Sequence, residues 1–319
     1  MIVLVFTGGT ISMRHDAAAR GAVPALAGRD ILQLVPQLAD IAALEIDDFG
    51  SFPGPHMSPQ RMMALRDCIG RHVARADVEG VVITHGTDSL EETAYLLSRT
   101  LATEKPVVLT GAMRTTSDLG WDGPANLGAA VRVAASDEAR GFGILVVMSD
   151  RIFAGLDVTK AHTHMVDAFE SPGLGPLGVV DDGRVIFRRA IPSPCEIVHT
   201  TLLAAPIDIV YAYAGADSRL LDAARRDGQG VVVAGMGRGN VPPEMVPGIE
   251  RWVADGKPVV ITSRALRGRV GHTYGYDGGG RRLHDLGAVF AGSRRPQQAR
   301  IDLMLALGAG LDVSEFFAR

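Results

Sequence analysis

Short apolar runs alternate with amphipathic stretches along almost the whole chain. Residues 2–6, 80–84, 106–110 and 143–148 are rich in β-branched side chains and end at glycine, proline or polar turns. Their unbroken apolar character predicts strands buried on both faces. Between them, residues 58–74, 89–102 and 123–135 carry helical spacing. Ser58-Pro59 opens the first of these, and Pro124 stands in the first turn of the third, both signals of a helix start. Strands and helices in alternation predict an α/β fold with a mostly parallel, doubly wound sheet and right-handed crossovers.

The alternation pauses over Arg188-Arg189-Ala190-Ile191-Pro192-Ser193-Pro194 and then resumes. Strand candidates follow at 208–213, 230–234 and 258–262, and a last helix at 296–307. The expected organisation is a larger N-terminal domain, residues 1–190, a linker at 191–205, and a smaller C-terminal α/β domain at 206–319. A length of 319 residues fits two domains, because single cores stop growing at roughly 250–300 residues.

Composition narrows the class of partner. A net charge of −4 and a pI near 6.1 offer no electrostatic reason for a nucleic-acid partner, and the pairs Arg188-Arg189 and Arg294-Arg295 read as solvated surface. Cys68 and Cys195 are far apart and carry no CxxC or Cys/His spacing, so neither a disulfide framework nor a structural zinc site is expected. The apolar run at 2–6 is too short for a signal-peptide core, and no segment is long enough to span a bilayer. A cytoplasmic protein with no membrane partner is the expectation.

Ligands of open α/β sheets bind beyond the carboxyl ends of strands, and three polar constellations fall there. The first, Thr7-Gly8-Gly9-Thr10-Ile11-Ser12, follows the first strand. Paired glycines let the backbone turn sharply and aim successive N–H groups at an oxyanion, while Thr10 presents a hydroxyl. Alone it would read as a tight turn. The second, Thr84-His85-Gly86-Thr87-Asp88-Ser89-Leu90-Glu91-Glu92-Thr93, brings Thr87 and Asp88 to a strand end. Ser89 or Asp88 with Glu91 or Glu92 also makes a capping box, a purely structural use. The third is Asp157-Val158-Thr159-Lys160. A lysine is ordinarily solvated; Lys160 gains chemical meaning only beside Thr87 and Asp88, where it could take a proton from a threonine. Brought together, two threonines, a lysine and glycine-loop amides would combine hydroxyls, a base and oxyanion donors. No Gly-x-Ser-x-Gly elbow supports a Ser-His-Asp alternative. His162 and His164 lack an acidic or cysteine partner at metal-site spacing.

Thr7-Gly8-Gly9-Thr10-Ile11, His85-Gly86-Thr87-Asp88, Gly111-Ala112-Met113-Arg114, Asp122-Gly123-Pro124-Ala125-Asn126-Leu127 and Asp157-Val158-Thr159-Lys160 together resemble the bacterial-type L-asparaginase family. Gly175-Pro176-Leu177-Gly178, Gly237-Arg238-Gly239-Asn240 and Pro296-Gln297-Gln298-Ala299-Arg300 extend the resemblance over nearly the whole chain, in the family's order. It implies hydrolysis of L-asparagine to L-aspartate and ammonia, with no metal or organic cofactor. Thr10 would be the acyl-accepting nucleophile, and Thr87, Asp88 and Lys160 the second catalytic group. Gly86 would line the substrate, and Asp88 would hold its α-ammonium. The resemblance further implies a homotetramer of two intimate dimers, in which Asn240 supports a neighbour's site.

Departures from the family pattern gather on substrate recognition. Residues 13–24 contain no tyrosine where the family carries one, near Ala22, although Arg14 and His15 lie close by. Gly54-Pro55-His56-Met57 replaces a stretch that holds the substrate carboxylate, with Ser51 or Ser58 the nearest hydroxyls. Asp277 takes the place of an acid donated across the dimer. Two alternatives follow: an amidase of the same family acting on another small amide, and a non-catalytic α/β protein that binds a small ligand. The Thr7–Ser12 loop lacks the Gly-x-Gly-x-x-Gly of a dinucleotide site.

Overall fold

The computed structural model describes residues 1–190 and 196–318. The chain divides into two compact units, Met1–Ile197 and Val198–Arg319. The expected linker at 191–205 falls partly on residues 191–195, which lie outside the described residues, as does Cys195 with them.

In the N-terminal unit, β1 (Ile2–Gly8) is followed by a hairpin of β2 (Met13–Asp16) and β3 (Gly21–Pro24), then α1 (Gly28–Leu34), β4 (Leu44–Phe52), α2 (Pro59–Val73) and β5 (Gly80–Thr84). Next come α3 (Leu90–Thr100), β6 (Val107–Thr110), α4 (Gly123–Ala134), β7 (Ile144–Met148) and β8 (Arg151–Ala154). The short pairs β9 (Thr159–Lys160) with β10 (Phe169–Glu170), and β11 (Gly178–Asp181) with β12 (Arg184–Phe187), complete it. The main sheet has eight strands in the order β12-β11-β8-β7-β6-β5-β1-β4. From β7 to β4 every pairing is parallel, and beyond β7 the sheet is antiparallel.

The side-chain alternation of β1 explains its continuous apolar run. Ile2, Leu4 and Phe6 join one core with Ile31 of α1 and Leu127 and Val131 of α4. Val3 and Val5 join the opposite core with Leu65 and Ile69 of α2 and Leu90 and Leu97 of α3. Helices thus cover both faces, as the sequence pattern predicts. β1 runs two residues further than expected because Thr7 is fully buried and donates its hydroxyl to the Thr84 carbonyl (2.8 Å), tying the ends of β1 and β5 together. β4 was not among the predicted strands. As a sheet edge it tolerates Glu45, Asp47 and Asp48, and these charges break the apolar signal.

The C-terminal unit holds β13 (Ile207–Tyr211), α5 (Arg219–Arg225), β14 (Gly230–Gly235), α6 (Val246–Ala254), β15 (Val259–Ser263), α7 (Gly280–Asp285), β16 (Val289–Phe290), α8 (Pro296–Gly308) and α9 (Val313–Ala318). Its four strands are parallel, in the order β13-β14-β15-β16. Trp252 of α6 is fully buried against the sheet and donates its indole N–H to the Leu221 carbonyl (2.9 Å). The architecture is the expected one: a larger α/β unit built on a mostly parallel sheet, and a smaller parallel α/β unit.

Leu4, wholly buried on β1, should tolerate truncation poorly. Leu4→Ala is expected to destabilise the protein by about 2–5 kcal/mol, whereas Ile186→Ala, at a position 39% exposed, should stay within about 0.5 kcal/mol. Urea unfolding of both variants checks the contrast.

Candidate active site

The parallel part of the sheet has the order β4-β1-β5-β6-β7. From β1 the chain crosses outward to β4, then passes back over β1 to β5 and continues the other way. The direction of winding therefore reverses between β1 and β5. At such a switch point the two crossover connections part and leave a crevice beyond the carboxyl ends of the strands. The turns that leave β1 and β5 there are Gly8-Gly9-Thr10 and His85-Gly86-Thr87-Asp88.

These turns touch backbone to backbone. Gly9, at φ +85°, lies so close to Gly86 that a β-carbon on it would stand 2.5 Å from the Gly86 nitrogen. A β-carbon on Gly86 would in turn fall 2.5 Å from Cα of Gly54, in the turn that leaves β4. Only glycine permits approaches this close. Thr10, half-buried, starts a single 3-10 turn directly after Gly9, and Thr87 directly follows Gly86. The two threonines are thus carried by adjoining turns.

Lys160 reaches the second threonine from another part of the unit. Its Nζ donates to Thr87 Oγ1 (3.0 Å) and to Asp88 Oδ1 (2.6 Å). Thr87 is buried, Asp88 is open to solvent at 57%, and the Lys160 side chain is 16% exposed. The lysine is therefore held at the boundary between protein and crevice. Its backbone N–H is gripped by Glu91 Oε2 (2.8 Å), and β9 pairs with β10, so the strand that carries it is fixed from both sides. A cavity of about 340 Å³ lined by Asp88, Glu91, Lys160, Ala161, His162 and Thr163 opens beside the amine. His162 Nδ1 accepts the N–H groups of His164 and Met165 (3.0 Å each) and so shapes its own turn.

The structure corrects the capping-box reading of this segment. Ser89 makes no side-chain cap for α3; its hydroxyl donates to the Gly54 carbonyl (2.6 Å) and latches the turn after β4 onto the start of α3. Glu91 serves Lys160 instead. His85, for which the sequence predicts no role, is fully buried. Its Nδ1 lies 2.8 Å from the Gly86 carbonyl and its Nε2 2.8 Å from Thr93 Oγ1. A carbonyl only accepts, so Nδ1 carries the proton, and the bare Nε2 accepts from Thr93. Burial pushes the imidazole pKa down to about 4, against the opposing hydrogen bond to Gly86. His85 is thus a neutral strut under the Gly86–Thr87 turn. On the far side, Asp122 accepts the N–H groups of Met113 and Arg114 (3.0 and 2.9 Å), and Asn126 donates to the Gly111 carbonyl (3.0 Å). Gly111 lies against the methyl of Thr87.

Other candidates stand further from this cluster. Ser51 is exposed on β4, and its backbone packs on Gly8. Ser58 is occupied as the N-cap of α2, accepting the Arg61 N–H (3.3 Å). In the β2–β3 hairpin, Arg14 faces Val23 and His15 faces Ala22. His15 is more than half exposed and pairs with Asp118 (3.6 Å), while Thr116 donates its hydroxyl to the Met13 carbonyl (2.9 Å). Asn240 and Asp277 belong to the C-terminal unit. There Asn240 Oδ1 accepts the Gly280 N–H (3.1 Å), the Val241 N–H donates to the Gly278 carbonyl (2.9 Å), and Asp277 is exposed beside them.

A two-unit α/β protein with threonine, aspartate and lysine gathered at the switch point of its larger sheet is the class that fold and geometry define. Residues 1–193 match the family described as "Asparaginase, N-terminal", and residues 206–317 the "Glutaminase/Asparaginase C-terminal domain". The chain is 38% identical over 314 residues to a probable L-asparaginase of Deinococcus radiodurans, covering 97% of this chain and 93% of that protein. It is 35% identical to a probable periplasmic L-asparaginase of Haemophilus influenzae, covering 96% and 88%. The crystal structure of a probable cytoplasmic L-asparaginase from Campylobacter jejuni superposes with a TM-score of 0.90 at 33% identity, covering 100% of this chain and 99% of that one. The chain belongs to the asparaginase family.

His85 makes stability depend on pH. Between the ordinary histidine value of 6.5 and the folded value of about 4, the unfolded chain binds a proton that the folded chain refuses. Stability from this group is therefore complete above pH 6.5, falls as pH drops through the window, and loses nothing more below it. The slope approaches about 1.4 kcal/mol per pH unit. His85→Asn should flatten the difference in urea-unfolding free energy between pH 7.5 and pH 5.

Proposed function

We propose that the protein is an L-asparaginase, an amidohydrolase that converts L-asparagine and water to L-aspartate and ammonia. The observation that carries the reading is the bridge from Lys160 Nζ to Thr87 Oγ1 (3.0 Å) and Asp88 Oδ1 (2.6 Å), set beside the turn that bears Thr10. In this reading the Thr10 hydroxyl attacks the side-chain amide carbon and the N–H groups of the glycine turn face the oxyanion. Ammonia leaves with the proton delivered to nitrogen, and water then cleaves the Thr10 ester to free aspartate. Thr87 positions that water, and Lys160 takes and returns the proton of the threonine hydroxyl. The exposed carboxylate of Asp88 faces the α-ammonium, with Gly86 and Ser51 along the substrate's path. Family membership supports the reading.

A second reading, an amidase of the same family for another small amide, is favoured by one observation. Ser58 is spent on a helix cap, and His15 is paired with Asp118, so neither replaces the missing carboxylate-binding and tyrosine groups in this arrangement. We also propose a homotetramer in which Asn240 and Asp277 of one subunit complete the site of its neighbour, and residence in the cytoplasm. Among the described residues no helix is long and apolar enough to cross a membrane.

Thr10→Ala should lower kcat by on the order of 10³-fold or more, and Lys160→Met by roughly 10²–10⁴-fold, in ammonia release from asparagine. Unchanged release from every amide tested would replace the enzyme with a ligand-binding protein. Asparagine turned over far more slowly than another small amide would select the second reading. Asn240→Ala should raise KM or lower kcat with no change in subunit fold, and solution mass at assay concentration should be that of four chains. A fully active monomer would end the shared-site assignment.

A further inference from the structure

Apart from the crevice, one cluster of ligating side chains stands out among the described residues. Asp47 on β4 meets Cys68 and His72 on α2, one helical turn apart on the same face. Cys68 Sγ donates to Asp47 Oδ2 (3.2 Å), and His72 Nε2 lies 2.7 Å from the same oxygen. Sulfur, nitrogen and oxygen all fall within 4.8 Å of one another. The Cys68-x-x-x-His72 spacing puts both donors on one face of a helix, which corrects the expectation that no Cys/His spacing is present.

We propose that Asp47, Cys68 and His72 bind a thiophilic divalent cation of the zinc class, with water in the fourth position. Thiolate, imidazole and carboxylate are the ligand types that zinc accepts, and tetrahedral ligand atoms lie on the order of 3.3–3.7 Å apart, a small rearrangement of the cluster. Cys68 is 3% exposed, whereas His72 is 13% and Asp47 31%, so the sulfur is shielded while one side stays open for entry and for water. Charge also fits. The cation displaces the thiol proton to solvent, and thiolate plus carboxylate then balance its two positive charges. The neighbouring acid Glu45 is already paired with Arg75 (2.6 Å), which leaves Asp47 as the carboxylate of the cluster.

A nucleophilic role for Cys68 is disfavoured by its surroundings, because burial and the Asp47 carboxylate push the thiol up to about 11. His72 Nδ1 is buried with no hydrogen-bond partner, so no outer acceptor anchors the ring, and affinity should fall below that of zinc histidines with one. Bound cation would clip β4 to α2 and close the segment that contains the Gly54 turn packed on Gly86.

The test uses the full chain stripped with a chelator and titrated with Co²⁺. A thiolate-to-cobalt charge-transfer band should saturate at one equivalent per chain, vanish on addition of Zn²⁺, and accompany a rise in thermal midpoint with Zn²⁺. Cys195→Ser should keep the band and Cys68→Ser should lose it. His72→Gln and Asp47→Asn should each weaken Co²⁺ binding by more than the roughly 10–100-fold that follows loss of an outer partner. No band at saturating Co²⁺, a band that follows Cys195, or unchanged binding in the His72 and Asp47 variants would overturn the site. Those last two variants decide the matter even if Cys68→Ser fails to fold.

Discussion

The contact between the turns that leave β1 and β5 is the constraint on which the site depends. Parallel strands deliver all their carboxyl ends to one edge, and the reversal of winding leaves that edge uncovered between β1 and β5. Polar groups placed there are reachable by a ligand, yet their backbone is pinned by a sheet packed on both faces. Gly9 against Gly86, and Gly86 against Gly54, bring three turns together at distances that no side chain would allow. A methyl at either contact would push the turns apart, and displacements of about an ångström are enough to cost a catalytic arrangement much of its rate.

Precision of this kind needs support beneath it, and the supporting groups are buried or half-buried and hydrogen-bonded. His85 and Thr93 brace the Gly86 carbonyl, Ser89 holds the Gly54 carbonyl, and Glu91 holds the backbone of Lys160. Each bond removes a polar group that would be costly if left unpaired in the interior. The neutral state of His85 belongs to the same economy, since a charged imidazole there would have neither water nor a carboxylate to stabilise it. The charged groups of the candidate site stand nearer the rim, where Asp88 meets solvent and Lys160 keeps some exposure.

The candidate site residues rest on different kinds of structure. Thr10, Thr87 and Lys160 sit on turns and a short strand locked to the sheet. The β2–β3 hairpin lies outside it, tied to the loop at 115–118 through the Ser117 and Thr116 hydroxyls. Surface hairpins of this kind vary more readily than the elements they connect, while the sheet edge stays as it is.

Much of this was legible in the chain. The buried strands β1, β5, β6 and β7 and the helices α2, α3 and α4 follow from apolar runs and helix-start residues, because burial on both faces and amphipathic packing leave local signatures. The motifs of the candidate site are visible for a related reason: each is a short polar insert beside a strand. β4, the β2–β3 hairpin and the strands beyond β7 left no such trace. An edge strand rich in acids and four-residue hairpin strands owe their existence to their neighbours and carry little pattern of their own. Nor could spacing reveal that Ser89 reaches Gly54, that Glu91 serves Lys160 rather than a helix cap, or that Asp47 meets Cys68 and His72. Those pairings join residues as many as 69 positions apart. Local composition determines which segments become strands and helices; only the order in which the sheet stacks them decides which polar groups share a neighbourhood.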